Sequence, residues 1–93
     1  MSGHEDLHDL RARMDALHAR LLSVLHERAA LAREIGRCKR DAGLAALDPE
    51  REQAMLEAAL QAAPADGFSA TQLTRILAEV LAASRALVED PDA

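Results

Sequence analysis

One charge stands where an apolar residue is expected. From Leu7 to Ala42 the positions Leu7, Leu10, Met14, Leu17, Leu21, Val24, Arg28, Leu31, Ile35, Cys38 and Ala42 alternate steps of three and four. That spacing marks one face of an α-helix, and Arg28 interrupts it. A guanidinium on an apolar face is costly unless an anion meets it. Lys39 follows eleven residues later. At about 100° per residue the two project from nearly the same face, roughly 20° apart and roughly 16 Å along the axis. Two long cationic side chains so placed could grip an anionic ligand of about 6 to 8 Å. The structural alternative pairs Arg28 with a buried Glu and lets Lys39 snorkel at the edge of the apolar face.

Other residues could join such a site. Arg11 lies 17 residues before Arg28, roughly 25 Å along a helix, so it cannot share a site with Arg28 inside one chain. In an antiparallel dimer of the long helix it could enter the partner's site. Asp48, Arg51 and Glu52 crowd the start of a second helix. There Asp48 is most simply a cap and the other two surface charges. Glu52 nevertheless heads the row Glu52, Leu56, Ala59, Leu60, Ala63 and so borders an apolar face. Ser84 interrupts the apolar face of a third helix, where its hydroxyl can also bond back to the preceding turn. His4 and His8 have a metal-compatible i, i+4 spacing but no third ligand nearby, and no metal is expected. His18 and His26 fall off the stripe and read as solvated. Cys38 reads as a small core residue, since no histidine lies close in sequence to activate it.

The elements that must position these groups are three helices. Only Gly36 interrupts the first pattern, which runs from near Asp6 to a stop at Gly43. Asp48-Pro49-Glu50 supplies a cap, a proline at the first helical position and an acid at the positive helix end, predicting a helix to about Ala62. Pro64-Ala65-Asp66-Gly67 is a turn, and Ser69-Ala70-Thr71-Gln72 reads as a capping box opening a helix to about Glu89. Its apolar face comprises Leu73, Leu77, Val80, Leu81, Ser84, Leu87 and Val88.

Composition agrees with an all-α class. The 93 residues are expected to form one domain, with a core over about 7–88. Hydrophobic residues make up 49% but aromatics only 1%, so the apolar content is of helix-forming type. A net charge of −5 with no basic run and no aromatic platform beyond the single Phe68 argues against nucleic-acid binding. Charges recur too often for a membrane span. A lone cysteine and an N-terminus without a secretory pattern point to the cytoplasm. The stripe of the first helix exceeds what about 50 other residues can cover, so a homodimer is expected.

Taken in order, Leu10-Arg11, Met14-Asp15, Leu21-Leu22, Glu27-Arg28, Ile35-Gly36, Lys39, Asp48-Pro49-Glu50-Arg51-Glu52 and Ser84 resemble the all-α chorismate mutase family over about residues 7–88. The resemblance implies an intertwined dimer with two equivalent sites, each completed by an arginine from the other chain's long helix. It makes Arg28 and the partner's Arg11 the clamps for two substrate carboxylates and aims Lys39 at the ether oxygen of the breaking C–O bond. Glu52 and the backbone at Asp48 would receive the ring hydroxyl, with Arg51 and Ser84 at the carboxylate end. The implied reaction is the one-step Claisen rearrangement of chorismate to prephenate, which uses no nucleophile, cofactor or metal and relies on positioning and on charge stabilisation at the ether oxygen.

One position departs from the pattern. The family commonly carries Gln or Glu where this chain has Val88, giving the ether oxygen a second partner that Val cannot supply. Relatives of this fold also act on 4-amino-4-deoxychorismate or eliminate pyruvate from isochorismate, and some depend on a partner enzyme of the aromatic pathway. A non-catalytic helical dimerisation module is the competing reading, which Arg28 within the stripe disfavours because a coiled-coil arm keeps its seam apolar.

Overall fold

The structure, a computed structural model, describes residues 3–93, with side chains from residue 6 onward. Its three helices are α1 (Gly3–Ala42), α2 (Pro49–Ala62) and α3 (Ala70–Glu89), and no strand occurs among the described residues. Each boundary has a local cause. Gly43 adopts a left-handed φ of 68°, which lets the Leu44 N–H donate to the Lys39 carbonyl at 2.8 Å and the Gly43 N–H to the Arg40 carbonyl at 3.2 Å. These two bonds occupy carbonyls that the helix end leaves unpaired. The Asp48 carboxylate accepts from the Arg51 N–H at 3.2 Å, with Pro49 following it. Ser69 and Gln72 form the reciprocal capping box. None of the helices is long and apolar enough to cross a membrane.

The chain divides into two compact units, Met1–Ala30 and Leu31–Ala93. In the first, every apolar stripe position from Leu7 to Val24 is exposed, Met14 by 64% and Leu21 by 54%. His8, His18 and His26 are exposed as well. The His4 side chain lies outside the described residues, and no group of three metal-ligating side chains occurs among those described.

In the second unit α2 packs on α3. The half-buried positions of α2 are Glu52, Leu56, Ala59 and Leu60, with Ala63 just beyond, which is the row that periodicity picks out. The α3 face from Leu73 to Val88 is likewise half-buried at every expected position. The end of α1 is different. Ala32 and Gly36 are buried, whereas Leu31, Ile35 and Cys38 are exposed, so Cys38 is not the core residue expected from the stripe. Small side chains explain this, because only they let the backbone of α3 approach α1 closely. The Val88 carbonyl lies directly over Gly36, and Pro91, fully buried, packs into the same notch. Asp92 then accepts from Arg40 at 3.3 Å and lies 3.8 Å from Arg37, while Arg33 donates to the Ala93 carbonyl at 2.9 Å. These exposed ion pairs contribute little beside the packed notch.

Two glycine substitutions separate close approach from backbone conformation. In Gly36→Ala the added Cβ would meet the Val88 carbonyl and stand 2.7 Å from Pro91 Cγ. The cost of overpacking against backbone, about 1–3 kcal/mol, outweighs up to about 1 kcal/mol of gained helix propensity. Gly43→Ala meets no neighbour within 4 Å but must hold a φ of +68°, costing about 1–2 kcal/mol. Thermal denaturation should show both variants melting lower. Only Gly36→Ala should also loosen the end of α3, read as faster amide exchange around Val88.

Candidate active site

The second unit carries six of the expected site residues, on the end of α1, at the start of α2 and on α3. Lys39 sits in the last turn of α1, half-buried, and its ammonium donates to the Ala46 carbonyl of the α1–α2 loop at 3.0 Å. An ammonium has three N–H donors, and this bond uses one of them. Asp48 is committed through its side chain to capping α2. Arg51, in the first turn of α2, is exposed. On α3 the Ser84 hydroxyl donates to the Val80 carbonyl at 2.9 Å, the back-bonded state that its place in a helix suggests. Val88 is half-buried, with its carbonyl held over Gly36.

Glu52 has a partner that periodicity did not disclose. Arg85 Nη1 donates to both of its carboxylate oxygens, at 3.2 and 3.0 Å, tying α2 to α3. The Glu52 side chain is only 25% exposed and that of Arg85 41%, so the pair is partly withdrawn from water. The signal was present in the sequence, since Leu81, Arg85 and Val88 are spaced i, i+4, i+7 and so share a helix face. An arginine at the edge of one apolar face was the natural counterpart of a glutamate at the edge of another.

Arg11 and Arg28 both belong to the first unit. Arg11 is exposed; Arg28 is half-buried, unlike the exposed stripe residues before it. The row of exposed leucines is a contiguous apolar surface of the kind that marks an interaction face.

The sequence profile of the chorismate mutase type II family matches residues 10–89. The chain belongs to that family. Membership in the chorismate mutase family makes it a member of a family of isomerases, and the all-helical fold agrees. The chorismate mutase (form II) of Thermus thermophilus superposes with a TM-score of 0.85 at 32% sequence identity, covering 94% of this chain and 98% of that one. The T-protein of Haemophilus influenzae is 38% identical over 77 residues, 83% of this chain. This chain spans 20% of the length of that relative.

Proposed function

We propose that the chain catalyses the Claisen rearrangement of chorismate to prephenate as a homodimer with two shared sites. Membership in the chorismate mutase family carries the reading, supported by a Lys39 bonded to the α1–α2 loop and by an uncovered apolar stripe on α1. In this reading Arg28 of one chain and Arg11 of the other clamp the two carboxylates, holding the enolpyruvyl chain over the ring. Arg51 and Ser84 line the carboxylate end. Lys39 donates to the ether oxygen, which gains negative charge as the C–O bond stretches, so its contribution is larger in the transition state than in the ground state. Glu52 and the backbone at Asp48 take the ring hydroxyl. The chain's own work is positioning and electrostatics, since the bond changes occur within the substrate.

The dimer is supported by area as well as by pattern. The single chain exposes 7436 Å², where a folded monomer of 10.0 kDa exposes on average about 5,200 Å². An excess of roughly 2,200 Å² per chain is of the size that obligate dimer interfaces bury.

The assay is loss of chorismate absorbance on addition of the purified chain, run beside 4-amino-4-deoxychorismate and isochorismate. Turnover of chorismate is expected, and its absence at high protein concentration would refute the reading.

Val88 makes a further prediction. A second donor at the ether oxygen is worth on the order of 10²-fold to 10³-fold in kcat, of which Lys39 or a water can recover part. Val88→Gln should therefore raise kcat on chorismate by less than that range, compared at equal folded fraction because Gln must fit a half-buried site. A folded Val88→Gln dimer that is no faster would favour a different native substrate or an activating partner enzyme.

A further inference from the structure

We propose that Arg85 is a specificity-determining residue: by holding Glu52 in a neutral ion pair it makes the site accept a ring hydroxyl and reject a protonated ring amine. The inference rests on the assignment of Glu52 to the ring substituent. It starts from the contact itself, in which one nitrogen of Arg85 bridges both carboxylate oxygens at 3.2 and 3.0 Å. Each carboxylate oxygen has about two acceptor sites, and the bridge occupies one on each. Glu52 can thus still accept a hydrogen bond from a ligand, and the guanidinium keeps its carboxylate facing α3.

Charge decides which donor it accepts. A lone carboxylate in a partly desolvated site would attract an ammonium more strongly than a hydroxyl. Here the guanidinium within hydrogen-bond distance cancels that attraction, and an arriving ammonium would leave the group of three with a net positive charge. A hydroxyl adds no charge and gains a charge-assisted hydrogen bond. Chorismate carries a hydroxyl at this ring position. Its 4-amino analogue carries an allylic amine that is protonated at neutral pH. The two substrates differ in the one property that the Glu52–Arg85 pair is built to read.

A strap between α2 and α3 would use the same ion pair without affecting substrate choice, so the readout must be a ratio. Arg85→Met removes the charge at similar length, Arg85→Lys keeps it, and kcat/KM is measured on chorismate and on 4-amino-4-deoxychorismate for each folded variant. The native protein should prefer chorismate. Arg85→Met should lower the chorismate-to-amine ratio about tenfold or more, chiefly through a lower KM for the amine, while Arg85→Lys keeps the ratio within about threefold. If Arg85→Met does not fold, Arg85→Gln, which keeps a donor without the charge, makes the same comparison. Equal losses on both substrates, an unchanged ratio, or a native preference for the amine would overturn the proposal. Inactivity of the native protein on both substrates would instead refute the mutase reading on which it rests.

Discussion

Lys39→Ala should lower kcat on chorismate by at least about 10²-fold to 10³-fold while the helical signal and the dimer persist. The magnitude is that of removing one fixed donor from a developing oxyanion, and the lost donor here is charged. Structurally Lys39 bonds the Ala46 carbonyl at 3.0 Å, in a loop beside exposed Leu44 and Leu47. Losing one hydrogen bond there costs about 1 kcal/mol of stability, far less than the kinetic effect. Arg28→Ala should be as damaging to turnover, mainly by loss of a carboxylate clamp and hence of the bound geometry. Circular dichroism and stopped-flow absorbance on the same samples separate the two outcomes. Variants that unfold rather than merely lose activity would return both residues to a structural role.

The second large effect is on assembly. Leu7, Leu10, Met14, Leu17, Leu21 and Val24 are all exposed in the single chain, and Leu31 and Ile35 continue the row. Fully burying one such side chain is worth about 1.5–3 kcal/mol, so the row together contributes on the order of 10 kcal/mol, the scale of a small domain's whole stability. Subunits should therefore be folded only as dimers, and Leu21→Asp should abolish both the dimer and most of the helical signal at micromolar concentration. Sedimentation equilibrium showing a folded monomer would contradict this. The shared site adds a sharper consequence. When Arg11→Ala and Arg28→Ala subunits are mixed and exchange, each heterodimer holds one intact site and one doubly damaged one. About a quarter of native activity should then return from two inactive parents. Confirmed exchange without recovery would exclude the sharing of Arg11.

Much of this architecture was legible because its causes are local. Asp48, Ser69 with Gln72, and Gly43 each satisfy backbone groups within a few residues, so the helix ends follow from short motifs. The α2 row from Glu52 and the α3 face from Leu73 were legible from spacing. The end of α1 was not, because there the contact is made by Ala32 and Gly36, and a pattern built on large apolar residues gives such positions no weight. Arg85 was missed for a related reason. Its importance comes from Glu52, which is 33 residues away in sequence and on another helix. For Arg11 and Arg28 spacing marks only a misplaced cation and a possible partner-site arginine; the proposed assignment to two substrate carboxylates comes from the family pattern.

The most direct measurement is product identification by proton NMR after incubating the purified chain with chorismate. Prephenate is the expected sole product, formed without pyruvate, at a rate that falls with Lys39→Ala. Release of pyruvate, or chorismate left unchanged beyond its spontaneous rearrangement, would contradict it.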